Sequence, residues 1–314
     1  MAAGLQENLS LVVKASNHIN EEDFFNEVLS IAKVLMPHKN PAHLVIENPK
    51  ITGKLISVEE PVFRNIEELT NIMAAEQQTI DQEIRYRAGL REVRTMESIL
   101  AKTSDTADVQ IKTGGVYLIS GGAGGLGLIF AQYISKTRGT KLILTGRSES
   151  LSPAQQKAVA RLGNATYHHC DISDAVAVNE LVKNILAEHK KLDGIIHSAG
   201  VIRDSLIIYK TVAEVKQVFA AKIKGTRNLD LATKDLALDF MVSCSSVAGV
   251  NGNAGQSDYA AANAWIDNYA YYRENERLQG RRQGKTLSIN WPLWKDGGMQ
   301  LDAESETYME LHFG

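Results

Sequence analysis

The stretch VYLISGGAGGLGLIFAQYIS, residues 116–135, admits few folds. A short apolar run is followed by Gly121, Gly122, Gly124, Gly125 and Gly127, and then by apolar residues at helical spacing. Glycine reaches backbone angles closed to other residues and lets the main chain approach a pyrophosphate. A helix starting there aims its unpaired N–H groups and the positive end of its dipole at the phosphates. A glycine pattern alone is weak evidence, and a structural tight turn is the competing reading. With a strand before it and a helix after it, the pattern predicts a dinucleotide site built on Gly121, Gly122, Gly124, Gly125, Leu126 and Gly127.

The rest of the second half fits that reading. From Lys112 onward GVYLIS, KLILTGR, ATYHHCD, DGIIHSAG, DFMVSCSS and TLSINWPLW read as strands separated by amphipathic segments. This alternation predicts an α/β fold, a Rossmann-like doubly wound parallel sheet with helices on both faces. Ligands of such sheets lie outside the carboxyl ends of the strands. Arg147 and Ser148 end the second strand, where an NAD-selective site presents an acid to the ribose. An arginine there pairs with a 2′-phosphate instead, which favours NADPH, with Glu149 nearby as an opposing sign. Asp171 and Ile172 follow the third strand, where they meet the adenine region. Ser198, Ala199 and Gly200 follow the fourth and let the chain pass close to the cofactor. His197 has no second His or Asp placed to make a triad or a zinc site, and reads as structural.

Residues 1–112 are of another kind. LSLVVKA, AHLVIENP, KLISVEE and EIRYRAGLREVRTM suggest strands, with helices at 17–37 and at NIEELTNIMAAEQQTIDQE, and there is no glycine-rich loop. This half is expected to be a structural subdomain without a cofactor site, joined through the polar residues 101–113 to a catalytic subdomain spanning 113–314.

Composition excludes several classes. A net charge of -3 with a pI near 6.3 gives no basic surplus for nucleic acid. An apolar run of about 18 residues, which a membrane span requires, does not occur. The two cysteines, Cys170 and Cys244, sit inside apolar strand-like runs, which points to a reducing compartment and a cytoplasmic protein.

The remaining chemistry gathers around SDYAAANAWIDNYA. Ser246 ends the fifth strand, and Tyr259 follows at the start of a helix with Asn263 one turn later on the same face. A hydroxyl and a phenol at one rim of the cleft suit a carbonyl that takes up hydride on carbon and a proton on oxygen. This pattern resembles the short-chain dehydrogenase/reductase superfamily, whose ordinary members carry lysine where this chain has Asn263. Lys222, in EVKQVFAAKIKGTRNLDLAT, stands where those members have asparagine, with Lys224 as its competitor. That exchange, together with YAAAN, AAKIKGT, SSVAG, HSAGVI and NWPLW, resembles the ketoreductase domains of modular polyketide synthases over nearly the whole chain.

The resemblance implies a truncated Rossmann-like first subdomain and a catalytic quartet of Lys222, Ser246, Tyr259 and Asn263. It implies NADPH-dependent reduction of a β-ketoacyl thioester held on the phosphopantetheine arm of an acyl carrier protein, among neighbouring synthase domains. Neither nucleic acid nor membrane is an expected partner. GVIRDSL keeps only Asp204 of the Leu-Asp-Asp signature of B-type domains, and Asn251 replaces the tryptophan of A-type ones, so B-type reduction to a D-alcohol is expected. DAESETYMELHFG falls where the family has a lid, with a further helix and strand to follow. A free-standing short-chain reductase of small ketones, or a non-catalytic module that binds NADPH, are the rival readings.

Overall fold

The computed structural model describes residues 111–294 without a break and, before them, strands at 55–58, 83–87 and 90–93 with the single residues 71, 75 and 95. The expected strands LSLVVKA and AHLVIENP, the helix at 17–37, nearly all of that at NIEELTNIMAAEQQTIDQE and the lid lie outside the described residues. Two compact units divide the chain, Met1–Asp105 and Thr106–Gly314.

In the first unit β1 (Leu55–Val58) runs parallel to β2 (Glu83–Arg87), which pairs antiparallel with β3 (Leu90–Val93). The strands expected in KLISVEE and EIRYRAGLREVRTM are therefore present, and Ile84 is buried.

The second unit alternates strand and helix. Its first half comprises β4 (Val116–Ser120), α1 (Gly125–Ser135), β5 (Lys141–Gly146), α2 (Pro153–Ala160), β6 (Ala165–His169), α3 (Ala175–His189) and β7 (Gly194–His197). Its second half comprises α4 (Val212–Phe219), a π-helical turn at Ala220–Lys224, α5 (Gly225–Ala232), β8 (Phe240–Ser246), α6 (Ala248–Asn251), α7 (Ser257–Leu278) and β9 (Lys285–Trp291). The strands form one parallel sheet in the order β6-β5-β4-β7-β8-β9.

Both faces are covered, so the central strands are apolar throughout and successive residues feed opposite cores. Leu118, Ile143, Ile195 and Met241 pack with Val178, Leu181, Ile185 and Leu229 from α3 and α5. Tyr117, Ile119, Leu142, Leu144 and Ile196 pack with Ala131, Ile134 and Val159 from α1 and α2. Polar side chains start the helices. Asp174 accepts from the Val176 and Ala177 amides at α3, while Ser152 and Thr211 form capping boxes at α2 and α4. Strand order reverses between β4 and β7, which opens a crevice at their carboxyl ends. Among the described residues no helix is long and apolar enough to cross a membrane.

Candidate active site

At that crevice the backbones of two strand ends touch. The Ser198 amide donates to the Ser120 carbonyl at 3.0 Å, and the Ser198 hydroxyl donates to the same oxygen at 2.7 Å. Gly121 has φ +68° there, and a Cβ on it would stand 2.8 Å from the Ala199 backbone. A Cβ on Gly127 would reach within 2.3 Å of the Gly121 carbonyl oxygen. Gly124 begins α1 with no side-chain cap, and the first turn holds no acid, so no side chain competes for the helix N-terminal N–H groups. A cradle without side chains at a helix N-terminus fits a dinucleotide pyrophosphate.

A cleft of 680 Å³ extends from this loop. Gly121, Gly124, Gly125, Leu126 and Gly127 line it, with Arg147, Ser148, Asp171, Ile172, Ser198, Ala199 and Gly200. Gly122 is the exception among the loop glycines. Its missing Cβ leaves room for the Ile119 carbonyl and the Leu144 side chain, so it serves packing. Arg147 is exposed beside the cleft. Asp171 is turned on its own loop, accepting from the Ser173 amide at 2.9 Å and hydroxyl at 2.8 Å.

Lys222, Ser246 and Tyr259 line the same cleft. The π-helical turn carries Lys222 inward, where it is 3% exposed, while Lys224 is exposed. Single π turns often mark functional positions. Nζ of Lys222 donates to the Cys244 carbonyl at 2.6 Å and stands 5.5 Å from the Tyr259 ring centroid. Gly200 makes room for it, since a Cβ there would lie 2.8 Å from Lys222 Cε. Burial pushes the Lys222 ammonium down to about 8, against the opposing pull of Cys244 and Asp267. Tyr259 is 7% exposed. Burial pushes its phenol up, and the side chains of Asn263 and Ser246 beside it draw it back.

Ser246 Oγ accepts the Ala248 amide at 3.2 Å, and its side chain also hydrogen-bonds the Tyr259 phenol. Asn263 is fully buried behind Tyr259; its Nδ2 donates to the Tyr259 carbonyl at 2.8 Å and its Oδ1 has no hydrogen-bond partner. His197 Nδ1 pairs with Ser120 Oγ at 2.6 Å, and burial, reinforced by the charge of Lys222, lowers its pKa to about 3. It is a neutral, structural histidine beneath the π turn.

Asp204 lines the cleft, and its Oδ2 accepts from Gln256 Nε2 at 3.0 Å. Asn251 is exposed at the end of α6 and is not part of the cleft wall. Sequence reasoning missed Gln256 and the Cys244 carbonyl. The first lies one turn before Tyr259 in a segment without periodic signal, and the second is a backbone group that no side-chain pattern announces. Trp291 and Trp294 stack edge to face at 5.1 Å, and Trp291 also meets Phe130 at 6.1 Å; both line the cleft.

The KR domain family profile matches residues 115–296. The chain is 43% identical over 274 residues to polyketide synthase PksL of Bacillus subtilis, covering 86% of this chain and 6% of that protein. It is 41% identical to PksN of the same organism, covering 83% of this chain and 5% of that protein. The chain thus spans about one-twentieth of the length of these relatives. Among solved structures, a ketoreductase domain from the bacillaene assembly line superposes with a TM-score of 0.83 at 34% identity, covering 96% of this chain and 78% of the other. An A-type ketoreductase from a modular polyketide synthase superposes at 0.72 with 26% identity, covering 95% and 60%. With family profile, relatives and superposed structures in agreement, the chain belongs to the ketoreductase domains of modular polyketide synthases.

Proposed function

We propose that this chain uses NADPH to reduce a β-ketoacyl thioester to the β-hydroxyacyl thioester, the acyl chain being presented on the phosphopantetheine arm of an acyl carrier protein among neighbouring synthase domains. The observation that carries this reading is the meeting of Lys222, Ser246 and Tyr259 in a cleft that the glycine cradle also lines. A bound nicotinamide dinucleotide supplies the hydride. Ser246 donates its hydroxyl proton to the ketone oxygen and orients it. Tyr259 delivers a proton to the same oxygen as negative charge develops there. The phenolate left behind is stabilised by the Lys222 ammonium. Asn263 fixes the first turn of α7 through the Tyr259 carbonyl. Soluble β-ketoacyl pantetheine thioesters are the direct test: NADPH consumption with formation of a single alcohol supports the reading, and cofactor binding without turnover rejects it.

The choice of NADPH rests on Arg147. A charge-assisted bond to a 2′-phosphate is worth about 1.5–3 kcal/mol, so Arg147→Ala is expected to weaken NADPH binding about 10- to 100-fold and leave NADH binding nearly unchanged. Fluorescence titration with both cofactors checks this. Equal losses for the two would place the 2′-phosphate elsewhere.

The lysine predicts a pH limb. Lys222 is charged below its pKa of about 8 and neutral above it. Reduction needs that charge beside the nascent phenolate, so kcat/KM for ketone reduction is expected to fall as pH rises through about 8, about tenfold per unit. In Lys222→Met the rate is low and this limb is absent.

B-type stereochemistry, giving the D-alcohol, belongs to the same proposal. Asp204 supports it by standing in the cleft wall near Tyr259, and chiral chromatography of the product decides it.

A further inference from the structure

Lys210 and Asp258 form an ion pair of 3.1 Å with side chains 0% and 1% exposed, and the chemistry described above uses neither. Taking two charges out of water costs more than their attraction returns unless other bonds satisfy them. Here one oxygen, Asp258 Oδ2, lacks a hydrogen-bond partner even so. A pair held at that depth with an orphaned oxygen is a poor device for stability alone.

Its position suggests another role. Lys210 closes the segment 201–210, which supplies Val201, Ile202 and Asp204 to the cleft wall, and its Nζ also donates to the Arg203 carbonyl. Asp258 precedes Tyr259, and its Oδ1 accepts the Tyr259 amide at 2.9 Å. One carboxylate oxygen thus touches both the loop that carries Asp204 and the backbone of the proton donor. Two further bonds join the same segments: Gln256 Nε2 to Asp204 Oδ2 at 3.0 Å, and the Ser205 amide to the Gly255 carbonyl at 2.9 Å. The side-chain bond of these two is exposed and contributes little by itself.

We infer that the Lys210–Asp258 pair is a clamp that registers the Asp204 loop against Tyr259, and that through it these two positioning residues decide which face of the ketone is presented for reduction. The inference rests on the reductase reading of the site. A clamp acts on geometry, so loosening it changes substrate fit and product chirality more than the proton transfer itself.

The test compares wild type, Lys210→Arg, Lys210→Met, Asp258→Asn and the double variant Lys210→Met/Asp258→Asn of the whole chain. The single neutral variants leave one buried charge unpaired and are expected to lose stability. The double variant removes both charges and is expected to recover most of it. In the double variant, amide hydrogen exchange across 202–209 should accelerate about tenfold. KM for a β-ketoacyl pantetheine thioester should rise about tenfold with kcat within about threefold, and the excess of one alcohol enantiomer should drop about tenfold. Lys210→Arg, keeping the charge, should restore the enantiomeric excess. A folded double variant with wild-type exchange across 202–209 and wild-type product chirality overturns the clamp. Were the wild type to bind NADPH without turnover, the reductase reading would fail, and exchange alone would decide: faster exchange supports the clamp, and unchanged exchange rejects it.

Discussion

Tyr259→Phe is expected to lower kcat for ketone reduction by about 10²- to 10⁴-fold, the usual contribution of a positioned general acid, and to leave NADPH affinity within about twofold. The substitution removes one oxygen. The ring keeps its burial and its place under the Lys222 ammonium at 5.5 Å. Folding is therefore little changed, and the loss reports the proton. Removal of the phenol leaves Ser246 as the one remaining hydroxyl of the trio, but an alcohol without a neighbouring base or a stabilised conjugate anion is a poor acid. Equal falls in kcat and kcat/KM, with unchanged cofactor binding, are the signature of an interaction made in the transition state. The decisive measurement is single-turnover NADPH oxidation with a β-ketoacyl pantetheine thioester. A Phe variant that retains more than about a tenth of the rate would mean another group supplies the proton.

Much of the architecture around that tyrosine is legible in the sequence, for a physical reason. Strands buried on both faces must be apolar throughout, and the strand expected in VYLIS is buried at every residue. The glycine loop is legible because its backbone approach excludes side chains, as the close contacts at Gly121 and Gly127 require. The pattern does not say which side each glycine faces, so it groups Gly122 with the cradle although this glycine makes room for Leu144. The π turn is harder to see. EVKQVFAAKIKGTRNLDLAT has the apolar spacing of one continuous helix, and a single widened turn barely disturbs it. Burial separates Lys222 from Lys224, and burial of one lysine out of two so close together is a tertiary property. The Lys210–Asp258 pair is invisible for the same reason, since nothing local marks either residue as the other's partner. Asn251, paired in expectation with Asp204, lies on the outer surface because α6 is one turn long and ends by turning its last residue to solvent.

Asp230→Ala is the substitution expected to damage the fold most. Asp230 is fully buried between α5 and α7. Its Oδ1 accepts from Arg273 Nε at 2.7 Å and Arg282 Nε at 3.0 Å, and its Oδ2 accepts from the Tyr269 hydroxyl at 2.9 Å. Arg273, itself 1% exposed, spends its other donors on the Gly284 and Gln283 carbonyls and on Thr286 Oγ1. One carboxylate therefore ties α5, the middle of α7 and the entry to β9. Removing it strands the Arg273 guanidinium in the interior and takes the carboxylate from Arg282 as well, which costs about 3–5 kcal/mol, out of a total stability of about 5–15 kcal/mol for a domain. Denaturant unfolding should show a midpoint lowered accordingly at unchanged slope. Asp230→Ala/Arg273→Met, which removes the carboxylate and the more deeply buried of its two arginines, should recover part of the loss, because an apolar replacement avoids the most costly unpaired charge. The tyrosine supplies an independent readout. Burial, reinforced by Asp230, pushes the Tyr269 phenol well above its usual range. Loss of the carboxylate removes the charge and the bond that favour the protonated phenol, so ultraviolet titration should find that group moving down. Catalysis per folded molecule should change little at low temperature, since Tyr259 is held from the other end of α7, through Asp258 and Asn263. A rate lost in proportion to Tyr259→Phe, with the fold intact, would instead mean that the Arg273 end of the helix sets the position of the phenol.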